Sequence, residues 1–115
     1  MTPDEAMHRV DELLSHVWMV RTFLKHSEEA EEDDELMEVV RDLYDYTLAL
    51  GAPWNEKNAA EYLRQARKKL AKLRAATERF EKLQPEISTH TNFQMASRSL
   101  RAAVSEIAEI LDNAG

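Results

Sequence analysis

The sequence predicts an all-α fold, an antiparallel up-down-up-down four-helix bundle, from three observations. Apolar residues recur at spacings of three and four in four separate segments, as they do in amphipathic helices. Only two Gly and three Pro occur among 115 residues, so few positions suit the tight turns of a many-stranded sheet. Ala, Leu, Glu, Lys and Arg, which favour helices, are abundant instead. Short connections between such helices favour antiparallel neighbours.

The first and fourth predicted helices have capped starts. The first covers about 3–26, where Thr2 is the N-cap and Glu5 can complete a capping box. The fourth covers about 92–112, and Thr91 followed by Gln repeats the capping-box pattern.

The second and third predicted helices are bounded by Gly and Pro. The second covers about 34–50, and Gly51 with Pro53 is predicted to end it. The third covers about 56–84, and Pro85 is predicted to end it, because proline cannot donate a backbone hydrogen bond. A chain of this length is predicted to form one helical-bundle domain over residues 1–115.

The acidity of the chain is local. The net charge is −7, yet seven of the eight residues in 28–35 are acids, so the chain would be formally neutral without them. Seven carboxylates cannot be buried without partners. Residues 27–33 are therefore predicted to form an exposed corner, either a loop or an extension of the second helix capped by Ser27.

Composition excludes several classes of site. The chain has no Cys, which excludes disulfides, a thiol nucleophile and Cys-ligated metals. No apolar run approaches the roughly 18 residues of a membrane span, and acids stand where a signal peptide would carry basic charge. We expect a cytoplasmic protein without a membrane partner, a cofactor or a tightly bound metal.

One spacing resembles a nuclease motif. Arg21 and His26 are separated as in the all-helical HEPN ribonucleases, and the resemblance implies RNA cleavage at a dimer interface. Residues five apart on a continuous helix point about 140° apart. The two side chains are expected to converge only if the first helix ends between them.

A metal site and a nucleic-acid site are weaker alternatives. His8, Glu12 and His16 share one face of the first helix at successive spacings of four, where a cation could bind. The basic segment 64–74 could follow a phosphate backbone. Its candidate contacts are Arg64, Arg67, Lys68 and Lys72.

An apolar patch on the first helix predicts an interface. Trp18, Met19 and Phe23 lie away from the main apolar stripe, and contiguous exposed apolar residues can mark a contact with a partner. The alternative is that this long helix packs against two neighbours.

The sequence favours a non-enzymatic function. No nucleophile, base and orienting group can be seen to converge from their spacing. We therefore expect a helical bundle that binds a protein partner or forms a homodimer. The alternatives left open are the ribonuclease and a nucleic-acid-binding accessory protein, although nucleic acid is the less expected partner.

Overall fold

Six α-helices, and no strand, make up residues 1–114, the part of the chain that the computed structural model describes. The prediction of an all-α helical bundle is confirmed. The helices are α1 (Pro3–Lys25), α2 (Glu28–Glu31), α3 (Asp34–Asn55), α4 (Ala59–Lys68), α5 (Leu70–Ile87) and α6 (Thr91–Asn113).

The four long helical segments form a ring around one apolar core. Helix α1 packs between α3 and α6, and α5 packs between the same two helices on the other side. In the residue pairs that join the two helices, the residue numbers increase along α1 and decrease along α6, so α1 and α6 are antiparallel. The pairs are Arg9 with Glu106, His16 with Ser99, and Phe23 with Phe93.

Large side chains from every long segment fill the core. Leu24, Leu43, Tyr62, Phe80 and Ile107 expose 2% or less of their surface. Each side chain buried to this degree contributes about 1.5–3 kcal/mol relative to leaving it in water. The apolar stripes therefore determine which face of each helix points inward.

The predicted end of the second helix at Gly51 is wrong. Helix α3 continues through Gly51 and Pro53 to Asn55, and the residue with positive φ is Lys57, at 56°. Pro53 lies in the last turn of α3 and is buried, and the helix ends two residues after it. Gly51 is an ordinary helical residue, at a cost of about 0.5–1 kcal/mol relative to Ala.

The third predicted helix is two helices. Helix α4 ends at Lys68 and α5 begins at Leu70. At this break the Tyr46 hydroxyl donates to the Ala66 carbonyl oxygen at 3.0 Å, which gives that oxygen a partner outside the helix. Pro85 does not end α5, which continues to Ile87.

The structure also defines the start of α6 and the conformation of the acidic corner. The cap of α6 is His90, whose Nδ1 accepts a hydrogen bond from the Asn92 backbone N–H at 3.0 Å, and not Thr91. The acidic corner is a separate four-residue helix, α2, capped by Ser27. It does not extend α3, because Asp33 forms a separate N-cap for α3. The Asp33 side chain accepts a hydrogen bond from the Leu36 backbone N–H at 3.0 Å.

Candidate functional site

A groove of about 590 Å³ between α1 and α6 brings polar side chains of both helices together. It is larger than the groove between α1 and α3, which measures about 320 Å³. Small residues keep it open, because Ser15, Ser99 and Ala102 leave room between the two helix backbones. The polar groups that face this space are Arg9, Glu12, His16 and Glu106.

Arg9 is held in place from the opposite wall of the groove. Its Nη2 donates to both carboxylate oxygens of Glu106, at 3.0 and 3.1 Å, and its Nη1 lies 3.6 Å from a carboxylate oxygen of Glu12. The hydrogen bond with Glu106 raises the pKa of Arg9 above its usual value, so the guanidinium stays charged. Its Nε makes no hydrogen bond within residues 1–114 and remains a free donor.

His16 is the second group that can bind a ligand in this groove. Its Nδ1 is 3.1 Å from the Ser99 hydroxyl oxygen, a contact that spans from α1 to α6. This contact fixes the imidazole ring and leaves Nε2 without a hydrogen bond in the described part of the chain. A fixed guanidinium and a fixed imidazole are groups that bind anionic oxygens.

Arg21 and His26 do not come together. Helix α1 continues to Lys25, with the exposed His26 as its C-cap. The guanidinium of Arg21 instead stacks on the rings of Trp18 and Tyr44, at 4.7 and 4.9 Å from their centroids. Its Nε is buried without a hydrogen-bond partner in the described chain.

The three residues that were proposed to bind a metal contact different neighbours. The ring of His8 packs edge-on against Trp54 of α3, at 5.2 Å, whereas His16 contacts Ser99 of α6. Glu12 lies beside Arg9. Across residues 1–114 no three side chains of the metal-ligating types form a cluster.

The basic segment is largely engaged within the chain. Arg67 donates from Nε to the Leu111 carbonyl oxygen at 3.1 Å, and its Nη2 donates to the Ala114 carbonyl oxygen, so it caps the end of α6. Arg64 pairs with Glu61. Lys72 lies 3.5 and 3.8 Å from carboxylate oxygens of two acids of α3, Asp42 and Asp45, and Lys68 is exposed.

The apolar patch on α1 is divided. Phe23 packs edge-on against Phe93 at 5.0 Å and belongs to the contact between α1 and α6. Trp18 and Met19 remain 40% and 65% exposed. No helix within residues 1–114 is both long and apolar enough to cross a membrane.

Residues 4–110 match the family model described as cobalamin adenosyltransferase. No curated protein and no solved structure matches the chain. Because this family consists of enzymes, the match contradicts the prediction of a non-enzymatic interaction module, and it also overturns the ribonuclease and nucleic-acid-binding alternatives. Spacing along the chain could not reveal the groove, because Arg9 and Glu106 lie 97 residues apart and meet only in the folded bundle.

Proposed function

Because the chain belongs to the cobalamin adenosyltransferase family, we propose that it transfers the adenosyl group of ATP to cob(I)alamin. The observation that carries the proposal is the family match, which covers residues 4–110 of 115. In this transfer the bond between the 5′-carbon of ATP and its phosphate oxygen breaks. The carbon becomes bonded to cobalt, and triphosphate leaves.

The triphosphate needs hydrogen-bond donors that are held in place. The sequence has two Gly, Gly51 and Gly115, which is too few for a glycine-rich phosphate loop. The α1–α6 groove supplies donors that such a loop would otherwise provide, namely Nε of Arg9 and Nε2 of His16. We therefore place the triphosphate in this groove.

Each groove residue has a distinct task in this proposal. Arg9 offsets the negative charge that grows on the departing triphosphate, and electrostatic stabilisation of this kind is often the largest contribution to catalysis. Glu106 is a positioning residue that holds the guanidinium through two hydrogen bonds. His16 donates from Nε2 to a phosphate oxygen, with its ring oriented by Ser99.

Self-association and cytosolic location are part of the same proposal. Cobalamin adenosyltransferases commonly form homotrimers and are typically cytosolic. Two exposed methionines of this chain, Met19 at 65% and Met95 at 54%, suit a contact between copies. The α1–α6 register places them on one face, because Met19 follows His16 by three residues and Met95 precedes Ser99 by four.

The test is an anaerobic assay of the purified chain with chemically reduced cobalamin and magnesium ATP. We expect loss of the cob(I)alamin absorbance spectrum with formation of adenosylcobalamin. Arg9→Met should lower kcat/KM for ATP at least tenfold, because a charged hydrogen-bond donor to the triphosphate is lost. Arg74→Met is the matched control, since Arg74 is an exposed arginine on α5, outside the groove.

Two results would contradict the proposal at different levels. An unmodified chain that forms no adenosylcobalamin above the rate without protein would refute the activity. Equal loss of kcat/KM in Arg9→Met and Arg74→Met would leave the activity in place but remove the α1–α6 groove as the triphosphate site.

A further inference from the structure

A separate groove, of about 360 Å³, lies between the C-terminal end of α1 and the N-terminal half of α3. We call it the basic groove, because Arg21, Lys25 and Arg41 line it and no acid does. Its other lining residues are Met37, Val40 and Tyr44. None of the three cations takes part in the ion pairs formed within residues 1–114. The basic groove therefore gathers positive charge that no acid of the described chain neutralises by contact.

Arg21 is held in place at this groove by two aromatic rings. Its guanidinium lies 4.7 and 4.9 Å from the ring centroids of Trp18 and Tyr44, which remain 40% and 37% exposed. These contacts fix the plane of the guanidinium before a partner binds, so a carboxylate that approaches it gains a charge-assisted hydrogen bond at a reduced cost in side-chain entropy. Trp, Tyr and Arg are also the residues most enriched among those that carry the binding energy of protein interfaces.

The acidic corner, residues 27–33, lies beside the basic groove and is unpaired as well. Its first acid, Glu28, follows Lys25 by three residues. Four of its acidic side chains make no ion pair and accept no hydrogen bond within residues 1–114; these are Glu28, Glu29, Glu31 and Glu32. One end of the bundle therefore carries a basic surface and an acidic surface side by side, and neither is neutralised by contact within the described chain.

We propose that two copies of this chain pair at this end, with the acidic corner of each copy against the basic groove of the other. Because each copy carries both surfaces side by side, a twofold arrangement uses both surfaces of both copies at once. Complementary charges of this kind determine the partner and the register of a contact. A nucleic acid fits less well, because its phosphates would also face the acidic corner.

This contact differs from the apolar one proposed for Met19 and Met95. A ring of three copies closes through head-to-tail contacts. A twofold contact is not part of such a ring, and it joins two rings or two single chains. It requires neither ATP nor cobalamin, so it is independent of the proposed function.

The experiment measures self-association of the full chain by sedimentation velocity at low and high salt. The Met19→Glu background is used, because this change is directed at the proposed apolar contact and leaves the basic groove and the acidic corner as they are. We expect pairs of chains at low salt and single chains at high salt, since salt screens a contact between exposed charges.

Charge reversal tests which surfaces meet. Lys25→Glu with Arg41→Glu reverses two charges of the groove, and Glu31→Lys with Glu32→Lys reverses two charges of the corner. Each double variant should self-associate at least tenfold more weakly, because attraction between its groove and its corner is lost. An equimolar mixture of the two should pair at least tenfold more tightly than either variant alone, because the acidic corner of the first then meets the basic groove of the second.

A matched control reverses the same number of positive charges elsewhere. Arg74→Glu with Lys82→Glu changes two exposed residues of α5, outside the basic groove, and should pair as the Met19→Glu chain does. Circular dichroism melting checks that every variant is folded.

Three outcomes would overturn the inference. These are the absence of salt-sensitive pairing, equal loss of pairing in the groove variant and the α5 control, or a mixture that pairs no better than either variant alone. Each of them leaves adenosyl transfer untouched, and a chain without adenosyl transfer that still pairs at low salt would keep this contact.

Discussion

At the scale of single residues, two buried tyrosines predict how stability depends on pH. Burial raises the pKa values of Tyr62 and Tyr46 above their usual value near 10, and for Tyr62 the hydrogen bond to Asp11 adds to the effect. Above about pH 10 the unfolded chain releases these protons while the folded chain keeps them. The contribution of these two tyrosines to the unfolding free energy should therefore be constant up to about pH 10 and decline above it.

Urea unfolding from pH 8 to pH 11, followed by circular dichroism, checks this sign. Tyr62→Phe removes one of the two groups and should make the decline above pH 10 shallower. Tyr44→Phe, which changes a ring that is 37% exposed, should leave the decline as it is. The prediction fails if the two variants show the same slope.

Arg67 shows how one residue can be misjudged from its neighbours in sequence. Its position among basic residues suggested nucleic acid, but its guanidinium caps the last carbonyl groups of α6. Arg67→Met should lower the unfolding free energy by about 1 kcal/mol, since it leaves those carbonyl groups without the charged donor. Lys68→Met, at the next exposed position, should change the urea midpoint much less.

At the scale of elements, the acidic stretch divides into residues with different tasks. Asp33 caps α3, and Asp34 with Glu35 stands in its first turn, where the helix dipole favours anions. The side chains of Glu31 and Glu32, just before them, make no hydrogen bond or ion pair within residues 1–114, although the backbone of Glu32 ends α2. Asp33→Ala should cost about 1 kcal/mol in urea unfolding, whereas Asp33→Asn, which can still accept from the Leu36 N–H, should be close to neutral. A large loss on Glu32→Gln would contradict this division.

Helix interiors were predictable from the sequence, and their boundaries were less so. The apolar spacing of three and four identifies the buried faces because each helix of a bundle must bury one stripe. Boundaries depended on contacts from other helices. The break near Lys69 coincides with the Tyr46 hydroxyl donating to the Ala66 carbonyl oxygen, and Pro53 is buried against the core in the last turn of α3. Neither contact can be read from local residue preference.

At the scale of the whole molecule, the candidate site lay beyond sequence reasoning for a geometric reason. His8, Glu12 and His16 were grouped because they share one helix face, but the bundle divides that face between α3 and α6. His16 then joins Ser99, which carried no signal of its own in the sequence. A groove between antiparallel helices combines the first residues of the chain with the last ones.

The proposed contact between copies follows from what the bundle leaves uncovered. Met19 and Met95 lie about one helical turn from His16 and Ser99, which line the α1–α6 groove, so a second copy bound there would come close to the proposed triphosphate site. Met19→Glu should shift the chain toward the monomer in size exclusion with light scattering, at both low and high salt, because the contact is apolar. Leu48→Glu is the control, since Leu48 is 61% exposed on α3. A monomeric unmodified chain would refute the assembly, and a Met19→Glu variant that assembles fully would move the contact elsewhere.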